Sequence, residues 1–282
     1  MKKLFILFSL SIGTYSFGQI NTPQASPQAK VEQKVGLADV SISYYRPAKR
    51  GRTVFGDVVP FGEIWRTGAN ENAKITTSDA LIFGKDTLKA GTYAIFTKPE
   101  KNSWEIYFYT DYSNWGTPDK WEENKIVVKT SVPTLKLSET VENFTIGFDK
   151  MENSSAEIVM TWDNTKVAIP FSLNTKDKVL ASIKKTMDGP TANDYHRAAS
   201  YYFSEKIDMK KALEWSTKAV ELRGESAYWM TRLLAQLQAE NGDYKKAIET
   251  AKKSMEAAEK DGDMNYVKQN KTSIEEWSKK KN

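Results

Sequence analysis

The sequence contains no cysteine among its 282 residues. The chain therefore has no disulfide framework, no thiolate metal site, no cysteine nucleophile and no lipid-modified cysteine. Its one histidine, His196, lies in a segment with helical periodicity and has no second histidine or cysteine to complete a metal site. No Ser-His-Asp arrangement is recognisable around it. The sequence thus assigns no catalytic residue, metal or cofactor, and it favours a non-enzymatic protein over an enzyme.

Long apolar runs and basic stripes are also missing. No apolar stretch reaches the roughly 20 residues that a membrane-spanning helix requires. The formal net charge is +5, from 41 Lys and Arg against 36 Asp and Glu. In the C-terminal half the lysines alternate with acidic residues, which is typical of solvated helix faces rather than of a nucleic-acid-binding stripe. We therefore expect neither a membrane span nor a nucleic-acid partner.

The N-terminus has the pattern of a secretory signal peptide. Lys2 and Lys3 precede a short apolar stretch, and Ser16 and Gly18 are small residues at the positions that a signal peptidase reads before Gln19. An uncleaved anchor or a buried helix is the alternative. We predict a signal peptide over residues 1–18, a polar flexible leader over 19–28, and export to the periplasm or the medium.

The next part of the chain has the period of β-strands. Short alternating segments rich in Val, Ile, Thr and aromatic residues are separated by turn residues, and they occur at 40–45, 73–78, 92–97, 104–110, 125–132, 144–151, 156–163 and 166–173. Asp163-Asn164 lies between the last two and suggests a short hairpin. We predict an antiparallel β-sandwich or barrel-like domain over residues 29–174.

Helical periodicity replaces the alternation over residues 175–282. A first helix at 176–188 places Val179, Leu180, Ile183 and Met187 on one face. After it, the sequence "MKKALEWSTKAVEL" from Met209 is repeated as "YKKAIETAKKSMEA" from Tyr244, 35 residues later. Further helices are predicted at 193–205 and 225–240 and, as a polar cap, at 265–279.

This repeat resembles the tetratricopeptide repeat, a helix–turn–helix unit of about 34 residues. Ala212 and Ala247 occupy the small position where two helices of a unit cross, and Ala199 and Ala235 fall near the small positions of the preceding helices. The usual Trp and Tyr of the first helix and the closing Pro are absent. The resemblance implies two divergent repeats that contact a partner protein.

The β half resembles a second family. The run "RPAKRGRTVFGDVVPFGEIWRTGANE", followed by "LKAGTYAIFT", "WEIYFY" and "NWG", is similar to an uncharacterised family of secreted bacterial proteins, the domain of unknown function 2911. The similarity covers about residues 29–173. It implies export, a β-rich domain and frequent pairing with C-terminal helical repeats, and it brings no established activity.

Residues 51–72, within that motif, are the candidate binding site. Their glycines permit left-handed backbone or close approach, and the guanidinium of Arg66 suits a carboxylate or phosphate. Trp65, with Tyr93 or Trp115, could stack on a sugar ring or another flat ligand. The predicted ligand-binding residues are Arg50, Arg52, Trp65, Arg66, Asn70, Glu71, Tyr93 and Trp115.

Three interpretations of this stretch remain open. The first is a non-enzymatic module that binds a small polar or anionic ligand or a glycan. In the second, Arg66 pairs with Glu63 or Glu71 to seal a buried corner of a purely structural scaffold. In the third, Glu63 and Glu71 are the paired carboxylates of a hydrolase acting on envelope carbohydrate. The orientation of the Arg66 side chain separates the first from the second.

Overall fold

The structure is a computed structural model that describes residues 22–187 and 189–280. The chain divides into two compact units, Met1–Thr175 and Lys176–Asn282. The predicted signal peptide and the first residues of the predicted leader lie outside the described part. The prediction of an antiparallel β domain followed by a helical domain is confirmed.

Nine strands are described in the first unit, and all of their pairings are antiparallel. They are β1 (Gln28–Val35), β2 (Ala38–Tyr45), β3 (Ala73–Thr77), β4 (Leu81–Phe83), β5 (Asp86–Leu88), β6 (Gly91–Pro99), β7 (Ser103–Tyr109), β8 (Ile126–Asp149) and β9 (Ser155–Ser172). They form one sheet in the order β1-β2-β3-β6-β7-β8-β9-β4-β5.

The sheet closes on itself through β8, the longest strand. Its first part pairs with β7 up to Pro133, and the rest pairs with β9 from Thr134 onward. The chain that follows β2 then meets the second part of β8 through a bridge between Ala48 and Asn143. Strands β2, β3, β6, β7 and β8 therefore form a barrel-like ring.

One core fills the inside of this curled sheet. Every strand contributes side chains to it, because alternate residues of a strand point to the same face. The largest fully buried side chains include Trp104, Trp162, Phe108 and Phe144. Burying such aromatic side chains supplies much of the stability of a domain of this size.

Asp163 and Asn164 do not form the predicted hairpin. Both lie inside the single strand β9, and Asp163 adopts a left-handed conformation with φ 52° opposite Val141, where the register with β8 shifts. Asp tolerates this conformation in a β-bulge as well as in a hairpin turn, so the residue types alone do not distinguish the two. The bulge is fixed by Lys49, whose Nζ donates to Asp163 at 2.5 Å.

The second unit consists of helices, with α1 beginning one residue before the division. They are α1 (Thr175–Thr186), α2 (Ala192–Ser204), α3 (Met209–Arg223), α4 (Tyr228–Glu240), α5 (Tyr244–Asp261) and α6 (Met264–Ser278). Aspartates end the preceding turns, and the side chains of Asp208 and Asp243 accept hydrogen bonds from the first turns of α3 and α5. Such caps satisfy amides that have no partner within the helix.

Small side chains allow these helices to pack closely. Ala199, Ala212, Ala235 and Ala247 are all fully buried, at the positions where the repeat pattern predicted close crossings. Ile183 on α1 packs against the cluster that α2, α3 and α4 share. In the part of the chain that the structure describes, we find no helix with the length and apolar character needed to cross a membrane.

Candidate functional site

The irregular stretch 51–72 is held to the sheet at a few backbone positions. Trp65 N donates to Thr97 O at 2.7 Å, and Thr97 N donates back to Trp65 O at 2.9 Å. Gly62 N donates to Pro99 O at 2.9 Å. These bonds place the Trp65 backbone along the same edge of β6 that β3 pairs with, so the stretch is anchored although it forms no strand of its own.

A tight loop follows Trp65. Thr67, Gly68 and Asn70 have positive φ angles of 59°, 144° and 54°. At Gly68 the backbone passes so close to β2 that a Cβ atom would lie 2.9 Å from Tyr45 O. The indole Nε1 of Trp65 donates to Gly68 O at 3.0 Å. This loop therefore fixes the Trp65 ring and turns the chain away immediately after Arg66.

The chain after β2 forms the opposite side of the site. Phe144 N donates to Pro47 O at 2.9 Å, and Lys49 N donates to Glu142 O at 2.8 Å. Arg46 donates from Nε to Phe144 O at 3.1 Å, so its guanidinium ties the same two segments together. These contacts bring the basic stretch of the motif against β8.

A cavity of about 340 Å³ lies between these two segments. Its charged side chains are Arg50, Arg52 and Arg66. Its apolar and small lining residues are Ala25, Pro47, Ala48, Val58, Val59, Trp65, Gly68, Ala69 and Trp162, and Ser26 completes it. Among the described residues that line it there is no carboxylate, so the cavity carries a concentrated positive charge.

Two tryptophans form the inner wall of the cavity. The rings of Trp65 and Trp162 stack with centroids 5.9 Å apart and planes 20° apart. Phe144 packs against Trp65 at 5.0 Å, and Trp162 Nε1 donates to Glu142 O at 3.1 Å. Because both indole N–H groups have backbone acceptors, the wall offers aromatic faces and edges but no free hydrogen-bond donor.

Arg66 is a cation that has no partner among the described residues. It is half-buried, its Nε is buried, and within residues 22–187 and 189–280 its side chain has neither a hydrogen-bond acceptor nor an ion pair. Burial lowers the pKa of the Arg66 guanidinium from its ordinary value, because water no longer solvates the charge fully. Its guanidinium N–H donors have no protein acceptor, and those other than the buried Nε–H are available to a ligand.

The other two arginines are already partly engaged. Arg50 Nη2 donates to Ala25 O at 3.1 Å, and Arg52 donates to Lys49 O at 3.0 Å and to Ala48 O at 2.7 Å. Both side chains are exposed. They hold the mouth of the cavity in shape and contribute positive charge, whereas Arg66 supplies the free donors.

The alternative in which Arg66 pairs with Glu63 or Glu71 does not occur in the structure. Glu71 accepts instead from Lys74 Nζ at 2.6 Å, because Lys74 on β3 directs its amine back over the preceding loop. Glu63 is exposed and does not line the cavity. Neither glutamate neutralises the charge of Arg66, which lines the cavity.

Three other predicted site residues do not line the cavity. Asn70 donates from Nδ2 to Ser26 O at 3.4 Å and so contacts a lining residue without lining the cavity itself. Tyr93 is partly buried against the core of the sheet. Trp115 is 75% exposed, although the backbone of the next residue, Gly116, passes beside the Arg66 side chain. Tyr93 and Trp115 therefore do not join Trp65 at the cavity as predicted, and the aromatic residue beside Trp65 there is Trp162.

Sequence reasoning missed Trp162, Val58 and Val59 as site residues. Alternation along β9 is enough to direct Trp162 inward, together with Met160 and Ile158. What the sequence does not contain is the register that brings Trp162 to Trp65, nearly a hundred residues away. Val58 and Val59 belong to the motif itself, but their apolar side chains were less conspicuous than its arginines.

The described residues contain no group of three or more acidic, histidine or cysteine side chains that could hold a metal ion. The fold and the cavity thus define a class of protein, an antiparallel β domain with a small arginine-lined cavity that precedes a helical domain. By sequence the chain belongs to DUF2911, a family described as protein of unknown function, whose family model matches residues 26–171. No curated protein matches the chain.

Proposed function

We propose that this chain is an exported, non-enzymatic binding protein whose β unit takes up a small anionic ligand beside Arg66. The observation that carries the proposal is the half-buried guanidinium with no acceptor among the described residues. A charge withdrawn from water costs folding free energy unless a counter-charge offsets it. A bound anion would supply that counter-charge. Export rests on the N-terminal pattern, and the mature protein recovered from its host would then begin at Gln19.

The surroundings of the cavity support an anion rather than a cation. Two carboxylates beside the lining segments already have partners, since Asp163 pairs with Lys49 and Glu142 accepts from Arg50 N at 2.8 Å. Three guanidinium groups therefore act on the cavity without a lining acid to offset them. The hydrolytic alternative gains no comparable support, because Glu71 is paired with Lys74 and Glu63 does not line the cavity.

Replacing Arg66 with Met should separate binding from stability. We expect Arg66→Met to weaken anion binding by about 30-fold or more, because charge-assisted hydrogen bonds worth about 2 kcal/mol are lost. We expect its melting temperature without ligand to be unchanged or higher, because the guanidinium has no internal partner to lose. Calorimetric titration and thermal unfolding in the presence of acetate, inorganic phosphate and aromatic acids measure both quantities.

Arg46→Met is the matched control. Arg46 donates to Phe144 O and to Thr145 Oγ1 and does not line the cavity. Its removal should lower the free energy of unfolding by about 1–3 kcal/mol and leave anion affinity within about threefold. Binding that survives Arg66→Met unchanged, or a wild type that no anion stabilises, would contradict the proposed function.

For the helical unit we propose two tetratricopeptide-like repeats that bind a peptide segment of a partner protein. The support is a groove of about 660 Å³ along α4 and α5, where Trp229 is 37% exposed beside Tyr228. Lys253 in this groove already pairs with Glu225 at 2.6 Å, so the apolar faces of the two rings are what a peptide would cover. Partly exposed aromatic residues of this kind are typical anchors of protein interfaces.

A photo-crosslinker at position 229 in the native host tests this second role. We expect a discrete adduct with one protein from position 229, because the groove holds its partner against that residue. The same crosslinker at position 222, where Leu222 is 59% exposed on α3 outside the groove, should give none. Equal labelling from both positions, or no adduct from 229, would exclude the groove as a binding site.

A further inference from the structure

Part of the cavity lining is apolar and open to solvent. Val58 is 38% exposed and Trp65 is partly exposed, whereas Val59 and Trp162 are buried. An inorganic ion on Arg66 would leave the apolar surfaces of Val58 and Trp65 in contact with water. A ligand with an apolar body would cover them and gain the corresponding hydrophobic free energy.

The hydrogen-bonding groups of the wall are largely in use. The indole N–H of Trp65 donates to Gly68 O and that of Trp162 to Glu142 O. The carbonyls of Ala25 and Ala48 already accept from arginines. Among the described lining residues no carboxylate or carboxamide side chain is left to accept from a hydroxyl group. A sugar presents many hydroxyls that must both donate and accept, so the cavity suits it poorly.

The size of the cavity limits the ligand further. Its volume of about 340 Å³ lies at the lower end of the roughly 300–1,000 Å³ that small-molecule sites span. Such a space has room for one acid group and an apolar body of at least one ring. The single free guanidinium matches one acid group, because a carboxylate or a phosphate can accept from two of its N–H donors at once.

We propose that the ligand is an amphipathic organic acid, with one carboxylate or phosphate on Arg66 and a flat apolar body against Trp65 and Val58. This deepens the proposed function and rests on it. The aromatic wall and the cation then act on different parts of one molecule. An inorganic anion engages only the cation, and a neutral aromatic alcohol engages only the wall.

The test uses the full chain and five probes, with the fluorescence of the wall tryptophans and calorimetry as readouts. Benzoate should bind about tenfold or more tightly than acetate, and phenyl phosphate about tenfold or more tightly than inorganic phosphate, because one ring is buried. Benzyl alcohol should bind at least about tenfold more weakly than benzoate. Comparison of the two aromatic acids shows which acid group the site takes.

Two matched variants identify the apolar part of the site. Val58→Ser should weaken benzoate binding about threefold to fivefold and leave acetate binding unchanged, because it removes only apolar surface. Val127→Ser, at a residue of β8 that is 37% exposed outside the cavity, should change neither. Melting temperatures of both variants exclude an effect through unfolding.

The outcomes distinguish this inference from the proposed function on which it rests. Equal affinities for benzoate and acetate, and for phenyl phosphate and inorganic phosphate, would overturn the amphipathic ligand while anion binding at Arg66 stands. Benzyl alcohol binding as tightly as benzoate would overturn the role of the acid group. If none of the five probes binds, both the inference and the proposed function fail.

Discussion

Trp162→Ala is expected to lower the free energy of unfolding of the β unit by about 3–5 kcal/mol. The ring is only 2% exposed and packs against Trp65, Phe144 and Phe55 with centroid distances of 5.8–6.2 Å. Removing it leaves a cavity at the centre of this cluster and deletes the hydrogen bond to Glu142 O. Urea unfolding, with hydrogen exchange of peptides from β8 and β9, measures the loss.

Trp115→Ala is the control for this change. The two substitutions delete the same side chain, but Trp115 is exposed on a loop and belongs to no core cluster among the described residues. Its removal should change the free energy of unfolding by less than about 0.5 kcal/mol. Similar losses from both substitutions would show that the aromatic cluster is not packed as described.

Gly68→Ala has the second largest expected effect, a loss of about 2–4 kcal/mol. Its φ of 144° is a conformation that side chains disfavour, and the new Cβ would lie 2.9 Å from Tyr45 O. The loop cannot move away without breaking the hydrogen bond from Trp65 Nε1 to Gly68 O. We therefore expect ligand affinity to fall as well, because Trp65 and Arg66 lose their positions.

Gly84→Ala is the control for a positive-φ glycine that has no close contact. Gly84 has a φ of 62°, and nothing lies within 4 Å of a Cβ built there. It should cost only about 1 kcal/mol, the usual penalty of a left-handed residue, and leave binding unchanged. Denaturation curves of the two variants show how much the close approach to Tyr45 and the larger φ of Gly68 together add. An equal cost at both positions would mean that the contact with Tyr45 is not tight.

The strands that alternation predicted are those with one face in the core. The predicted segments at 40–45, 73–78, 92–97 and 104–110 correspond to β2, β3, β6 and β7. β1 was missed because its sequence, QAKVEQKV, puts charged side chains along an outer strand of the sheet, where they discourage pairing with other chains. β4 and β5 have three residues each, which is too few for an alternating pattern to be recognised.

The two longest strands were each predicted as two. The register shifts place extra residues in β8, and the turn-forming residues Asp163 and Asn164 of β9 lie opposite them. A bulge and a hairpin turn require the same backbone conformations, so local sequence is a poor guide to which one forms. The partner strand determines whether a bulge or a hairpin turn forms, and pairing between distant segments is not a local property of the sequence.

The candidate site was predicted only in part, because some of its residues meet through pairing between distant segments. The motif provided Arg50, Arg52, Trp65 and Arg66, and the structure brings these four together around one cavity. Trp115 and Tyr93 were expected there because aromatic residues are common in ligand sites, but the sequence does not tell which face of the sheet or loop a ring occupies. Trp162 completes the wall through a register that only the folded sheet reveals.

The hydrogen bonds that join the chain after β2 to β8 also determine when the site forms. Arg46 and Phe144 are 98 positions apart, and the cavity takes residues from Ala25 to Trp162. Contacts so distant along the chain close late in folding, because the entropy of a long loop must be overcome first. We therefore expect the cavity to be absent until β9 has paired with β8. If the cavity takes up an anion as proposed, ligand uptake would report that the β unit has finished folding.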